Sequence, residues 1–335
     1  MLLFLIRRIL LAVPTLAGLV VLTFVLIHAV PGDPAVILAG DQATPAQIAA
    51  LREQYGFDQP IARQFVIYAA QLARGSFGTS YLTQRPVGSE ILERLPATVE
   101  LSLAAISIAA VAGVGLGLLA AQFHNRALDQ LLRLLAIGGL AIAPFWLALM
   151  LQLKFSMDFD LLPVHGRITV GLRPPDITGL LLLDALLTGN AALFKDALAH
   201  IILPAAALAI GPLATIMRFT RAAVLSTLTR DFVLYERAVG YPRFVLMTKY
   251  VMRNSLVTPV TQIGLLLGGI LGSAVVVESI FDWPGLGSYA VTSIATADYQ
   301  ATLAVVLIVG VIYTLINIAI DVVHAAIDPR VAQQL

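Results

Sequence analysis

The chain has 335 residues, of which 59% are hydrophobic and 12% charged, whereas soluble domains carry about 25% charged residues; its solvent is lipid as much as water. The formal net charge is only +1, and no nucleic acid is expected among the partners. With no cysteine in the chain, disulfides, thiolate metal sites and a cysteine nucleophile are excluded.

Six segments run for 20 residues or more without Asp, Glu, Lys or Arg: residues 9–31, 101–123, 134–153, 197–217, 254–277 and 299–320. Each is long enough to cross a hydrocarbon core of about 30 Å as a helix. A helix is also the open-chain structure that satisfies every backbone N–H and C=O in lipid. The expected fold is therefore all-α, with six transmembrane helices. Arg7 and Arg8 precede the first apolar run, as they would in a signal peptide. That run exceeds the usual length of about 7–15 residues and meets no clean Ala-x-Ala site, so it reads as a retained helix.

Between the first two spans lies an external helical segment, residues 32–100. Thr44 followed by Pro45 is an N-cap and N1 pairing, and Gly56 closes that helix. Residues 59–72 give a second amphipathic pattern closing at Gly75, and residues 87–95 a third that ends before Pro96. Farther on, the run 180–183, cut by Asp176 and Asp184, is too short to span and reads as a small interfacial or loop helix. The domain reading is a first transmembrane helix (1–31), the external segment (32–100) and a core of five spans (101–335). A basic loop at 218–253 belongs to that core.

Six spans put both termini on one side. That side collects Arg7, Arg8, Arg126, Arg133, seven basic residues from Arg218 to Arg253, and Arg330, twelve in all. The opposite side has five Arg in its long segment, but loops beyond about 60 residues are largely exempt from the positive-inside rule. Its shorter loops carry Arg167, Arg173 and Lys195, with Lys154 at a boundary. Both ends are expected to be cytoplasmic.

The chemistry is bounded by what the chain lacks. Lys154, Lys195 and Lys249 follow Leu, Phe and Thr, so the Gly-Lys-Ser/Thr ending of a phosphate-binding loop does not occur. The five histidines, His28, His124, His165, His200 and His324, show no close pairing of the zinc-hydrolase type. Every carboxylate falls at or beyond a span end. Glu100 and Glu278 come nearest to exceptions, and both read as lip residues facing water. Ion-coupled carriers generally hold a titrating or coordinating group at mid-membrane, so an autonomous carrier or channel is the weaker alternative. A membrane-embedded enzyme lacks a nucleophile and base at any suggestive spacing. The expectation is a non-catalytic polyhelical body with no energy source or cofactor of its own.

One basic stretch, DFVLYERAVGYPRF, continues helical spacing past the fourth span and breaks at Gly240 and Pro242. Asp231 can cap its start or favour it through the helix dipole. Phe232, Tyr235 and Val239 lie at i, i+3 and i+7, an apolar face flanked by Glu236 and Arg237. Such a helix either docks in a groove of another protein or rests as an ordinary basic loop on acidic lipid. In the fifth span, GLLLGGILGS places Gly264, Gly268 and Gly272 four apart, with Gly269 and Ser273 beside them, which permits close helix approach. Phe281 and Trp283, in ESIFDWPGLG, are either interfacial anchors or functional contacts in an external turn.

The chain resembles, almost end to end, the permeases of the dipeptide, oligopeptide and nickel branch of ABC importers. The matching pieces are LIRRILLAVPTL, HAVPGDPA, YGFDQPIARQF, RGSFGTS, QRPVGSEILERLPATVELSLAA, IAPFWLAL, LLPVHGR, HIILPAAALA, RFTRAAVL, ERAVG, RNSLV, VVVESIFDWPGLGSYAV and NIAIDVVHAAIDPRV. The resemblance implies a type I importer permease core in a bacterial inner membrane, with segment 32–100 periplasmic. It implies a second, homologous permease, two ATPase subunits that bind ATP and Mg, and an extracytoplasmic binding protein that delivers substrate. Peptides are the favoured cargo, with nickel and glutathione as alternatives. The coupling loop to the ATPase then involves Asp231, Phe232, Tyr235, Glu236, Arg237, Ala238, Gly240 and Arg243. The path or gate is assigned to Gly269, Gly272, Ser273, Glu278 and Trp283. The family's Glu-Ala-Ala pattern is reduced here to Gly240, and of the branch's Thr-Ala-Arg-Ala-Lys-Gly only Arg237, Ala238 and Gly240 remain. The Pro that usually follows Arg-Asn stands one place later, at Pro259.

Overall fold

The computed structural model describes residues 2–29, 34–39, 43–172 and 177–327, and apart from one antiparallel bridge between Thr79 and Pro86 its regular elements are helices. In chain order they are α1 (Leu2–Ala29), α2 (Pro34–Ala39), α3 (Pro45–Tyr55), α4 (Ile61–Ala73), α5 (Val87–Gln122), α6 (Ala127–Ala141) and α7 (Pro144–Leu151), which continues as a π-helical stretch, Gln152–Asp158. Then come α8 (Leu181–Leu187), α9 (Ala191–Leu228), α10 (Asp231–Ala238), α11 (Arg243–Val245), a second π stretch (Leu246–Val251), α12 (Met252–Ser255), α13 (Val257–Ile280), α14 (Leu286–Ala295) and α15 (Tyr299–Ile327).

Four of these, α5, α9, α13 and the Tyr299–Val322 part of α15, are long and apolar enough to cross a membrane. A fifth is the pair α6 with α7 and its π extension, if these are taken together. In α1 the described stretch Leu10–Val25 is apolar but shorter than a span. The protein is thus an all-α membrane protein.

Two expectations need correction here. Residues 134–153 do not form one straight helix, because α6 and the segment beginning at Pro144 meet at 103°. Ala143 is extended (φ −70°, ψ 132°) and Pro144 opens the next helix, since a residue before proline is pushed out of the helical region. The third external helix does not end before Pro96, since α5 runs through it. Proline removes one ladder bond without ending a helix whose remaining backbone is paired and packed.

The chain divides into two compact units, Ala97–Pro284 with the segment from Ile316, and Leu2–Pro96 with Gly285–Leu315. In the second unit the expected caps are in place. Thr44 and Gln47 form a reciprocal capping box, and Gly56 ends α3 with φ +69°. Phe24, Tyr68 and Leu303 pack together, and burial pushes the Tyr68 phenol up to about 12. Buried Asp298 accepts the Ser80 hydroxyl at 2.5 Å and the Ala301 N–H at 3.2 Å, capping α15 and fixing the RGSFGTS loop. A Cβ on Gly78 of that loop would lie 2.7 Å from Gln300, and its φ is +79°, so glycine is required there.

In the first unit α5, α7, α9 and α13 share one apolar core, built around Leu101, Ala105, Ala109, Leu208, Ile270 and Trp283. The closest approach is between α5 and α9. A Cβ on Gly113 would stand 2.9 Å from the Leu213 carbonyl oxygen, and one on Gly117 2.7 Å from that of Met217. At 1.5 Å per residue, the 38 residues of α9 extend about 57 Å, nearly twice a hydrocarbon core. The helix is thus longer than such a core needs, and its last turns, which are charged from Arg218 onward, lead into α10.

Candidate functional site

α10 is made by its punctuation. Arg230 is its N-cap, with extended backbone and no side-chain cap bond. Asp231 consequently does not cap the helix as expected. It occupies the first turn, where a carboxylate faces the positive end of the dipole. At the other end the Gly240 N–H donates to the Arg237 carbonyl (3.1 Å) and the Tyr241 N–H to that of Glu236 (3.3 Å). With Gly240 at φ +93°, this is the Schellman arrangement that closes a helix on a left-handed residue. Pro242 follows and prevents continuation.

Among the described residues, one edge of α10 is covered by its own chain. Val233 is buried among Ala121, Val224, Leu246, Met247 and Val251. Phe232 and Tyr235 are 42% and 68% exposed, and Leu234 and Val239 are exposed as well. Asp231, Arg237, Ala238 and Gly240 are exposed, and Glu236 is half-buried. The Arg243 side chain lies outside the described residues. The expected apolar face at 232, 235 and 239 is therefore presented outward. A cleft of about 390 Å³ beside it is lined by Val233, Leu234, Arg237, Tyr241, Leu246 and Met247, among others. Behind it the rings of Tyr241 and Tyr250 lie 5.6 Å apart. The Tyr250 phenol is raised to about 12 by its hydrogen bond with Tyr241, by burial, and by the Glu236 carboxylate.

The residues assigned to the path or gate fall into two groups. Gly269 and Gly272 are exposed on α13, and a Cβ on either would meet nothing within 4 Å. Ser273 turns its hydroxyl back to its own helix, onto the Ile270 carbonyl at 3.0 Å. Of the expected stripe, a Cβ on Gly264 would lie 2.9 Å from Ile320 and Gly268 is buried, whereas Gly272 faces open space.

Glu278 and Trp283 form the second group, and the burial of Glu278 overturns its lip reading. Glu278 is fully buried and accepts the Thr98 hydroxyl at 2.7 Å. Trp283 is buried with its indole N–H donating to the Ala97 carbonyl at 2.9 Å, and Phe281 is buried beside it. Neither ring is an interfacial anchor. Glu100, the other expected lip residue, is also buried. One of its oxygens takes Nε and Nη2 of Arg167 at 3.0 and 2.5 Å, and the other takes the Leu182 N–H at 2.6 Å. Arg167 also donates to the Gly179 carbonyl at 2.7 Å, and its guanidinium lies 5.9 Å from the Trp283 ring centroid. A buried carboxylate survives only when paired in this way. Arg167, Gly179 and Leu182 are thereby tied to the ends of α5 and α13. Neither Thr98 nor Arg167 was expected in this role, although Arg167 belongs to the LLPVHGR block.

The 177–179 stretch is held by Asp184. Burial pushes its carboxyl up, but the Thr178 hydroxyl and the N–H groups of Thr178, Gly179 and Ile177 outweigh this and leave it below the usual carboxylate range.

Comparison with known proteins agrees with this architecture. Residues 113–333 match the family model "Binding-protein-dependent transport system inner membrane component", and residues 1–103 match its N-terminal companion. The probable D,D-dipeptide transport system permease protein DdpB of Escherichia coli (strain K12) is 42% identical over 318 residues, 95% of this chain and 94% of that protein. The dipeptide transport system permease protein DppB of Alkalihalophilus pseudofirmus is 38% identical over 99% of both chains. The glutathione transport system permease protein GsiC of Salmonella typhimurium is 35% identical, again over 99% of both. Matches of this extent over both parts of the chain show that it belongs to the family of binding-protein-dependent transport system inner membrane components, as a non-catalytic, membrane-spanning transport permease.

Proposed function

We propose that this chain is one permease subunit of an ATP-driven, binding-protein-dependent importer and forms half of the translocation path for di- or oligopeptides. The observation that carries the proposal is α10, a helix anchored by Val233 with Phe232, Tyr235 and Val239 turned outward. An aromatic face beyond the lipid calls for a protein partner, and the ATPase subunit that binds ATP and Mg is that partner. Closing of the two ATPases displaces each seated α10, and α9 carries the motion into the spans to alternate access.

The membrane arrangement proposed with it has six spans: α1, α5, the bent α6–α7 pair, α9, α13 and α15. Both termini are cytoplasmic in a bacterial inner membrane, and residues 32–100 form the periplasmic segment ahead of the core, 101–335. A second, homologous permease completes the path, and an extracytoplasmic binding protein delivers the cargo. The open face of α13 at Gly269, Gly272 and Ser273 lines the path or meets the second permease. Glu278 and Trp283 hold the end of α13 rather than meet the substrate. Peptide cargo is supported by the names of the DdpB and DppB relatives, and the GsiC relative supports glutathione as the second reading.

The test is co-purification of the chain in detergent with its co-expressed partners, comparing wild type with Gly240→Asp and Arg237→Glu. ATPase subunits should accompany the wild type and be lost from the variants while the second permease stays. A wild type that never brings down an ATPase would sink the importer reading. Competition between a dipeptide and glutathione for uptake by the reconstituted complex separates the two cargo readings.

A further inference from the structure

Where α6 meets α9, the larger unit holds a further buried carboxylate that the function has not used. Asp129, in the first turn of α6, is 0% exposed. Arg221 of α9 grips it with two bonds, Nε to Oδ1 at 2.7 Å and Nη2 to Oδ2 at 2.8 Å. The Asn125 N–H donates to Oδ2 at 3.0 Å, and Arg133 Nε stands 3.7 Å from Oδ1. His124 places Nδ1 3.1 Å from Arg221 Nη2. Arg221 is one helical turn before Val224, which packs with Val233 of α10 in a single apolar cluster. The stretch of α9 that seats α10 is therefore the stretch that grips α6.

We propose that the Asp129–Arg221 pair is the joint through which displacement of α10 reaches α6, so that these two positioning residues set how much transport each ATP turnover yields. The proposal rests on the importer reading. The other contacts of α6 with α9 are apolar, through Leu132, Ala136, Ala214 and Met217, and packed apolar helices can shear past one another in small steps. A two-bond guanidinium–carboxylate fork has fixed direction and spacing and resists that shear. Stability alone does not explain it, since a buried ion pair can often be replaced by apolar residues of similar volume at no loss. What the fork adds is register.

The measurement is peptide taken up per ATP hydrolysed, in liposomes holding the complete complex, for wild type, Asp129→Asn, Arg221→Lys and the double variant Asp129→Asn/Arg221→Gln. Asp129→Asn leaves the half-buried Arg221 guanidinium without its counter-charge and is expected to lower the amount of assembled complex. The double variant removes both charges and should restore assembly to within about twofold, yet its yield per ATP should stay about tenfold below wild type, a coupling loss in the ordinary range. Arg221→Lys keeps the charge but not the fork, and should lower the yield at wild-type abundance. A double variant that assembles and transports with wild-type yield overturns the joint. If it does not assemble, Arg221→Lys decides, and a wild-type yield there overturns the joint equally. A wild type with no ATP-dependent uptake at all would instead sink the importer reading, a result distinguishable from the other two.

Discussion

Two hexapeptides of the larger unit have almost the same composition and opposite fates. Asp231–Glu236 reads DFVLYE and Glu278–Trp283 reads ESIFDW, each with two acidic and two aromatic residues. In the first, Phe232 and Tyr235 are 42% and 68% exposed, and in the second, Phe281 and Trp283 are 2% and 1% exposed. The difference lies in what the chain brings to each. The second hexapeptide ends the 24-residue α13 and is met by the loop at 163–166, where the Gly166 N–H donates to the Phe281 carbonyl at 2.8 Å, and by the Ala97 carbonyl. The first follows the charged last turns of α9 and is cut off after eight residues by Gly240, so its own chain covers one edge only. Aromatic residues buried by the chain itself stabilise the fold. Aromatic residues exposed beyond the lipid await a partner.

The comparison breaks or holds first at Trp283. Trp283→Ala empties a fully packed site and removes the indole bond to the Ala97 carbonyl, a loss of about 3–5 kcal/mol. Membrane abundance and the thermal midpoint of the purified chain should both fall, with uptake falling in step. Normal abundance with abolished uptake would return Trp283 to the role of a direct contact. The matching pair on the other hexapeptide, Phe232→Ala with Tyr235→Ala, should change the stability of the isolated chain by no more than about 0.5 kcal/mol. Each should weaken ATPase docking by about 2 kcal/mol, roughly 30-fold. A drop in thermal midpoint comparable to that of Trp283→Ala would mean that the exposed face is packed after all.

How much of this was legible in the sequence depends on how local the cause was. Uncharged run length picked out the long helices, and the caps at Thr44, Gly56, Gly75 and Gly240 were readable because a cap is a contract between residues three to six apart. The outward face of α10 was readable from its spacing for the same reason. The burial of Glu100 and Glu278 was not, because in a lipid-solvated chain a carboxylate at a span end looks as though it faces water. Their hydrogen-bond donors, Arg167 and Thr98, lie 67 and 180 residues away. The tight glycines were misplaced in part: GLLLGGILGS drew attention, yet Gly113 and Gly117 of α5 are the ones set against the backbone of α9. Small residues four apart permit contact in both places, and the neighbouring helix decides which is used.

The smallest effect is the one that probes the closed region by pH. The folded-state carboxyl of Asp184 is held below its ordinary value, because its hydrogen bonds from the 177–179 stretch outweigh the burial that pushes it up. A depressed carboxyl contributes stability that is fully present above the unfolded value of about 3.9 and is lost as pH falls through the folded one. The loop it organises also carries the Leu182 N–H that meets Glu100 and the Gly179 carbonyl that meets Arg167. Loss of the Asp184 contribution should therefore loosen the region around Trp283 and leave α10 untouched. Asp184→Asn keeps the shape but has one acceptor oxygen in place of two. At about pH 7 its thermal midpoint should lie below wild type, and the gap should narrow toward about pH 3 as the wild-type carboxyl gains its proton. Proteolytic nicking should report the same sequence, with cleavage in the 177–180 stretch rising on acidification in wild type and already raised in the variant at neutral pH. A gap that stays constant with pH would mean that Asp184 acts through shape alone. Equal acid sensitivity of α10 would mean that the two regions are not independent and that the contrast between the two hexapeptides is one of degree.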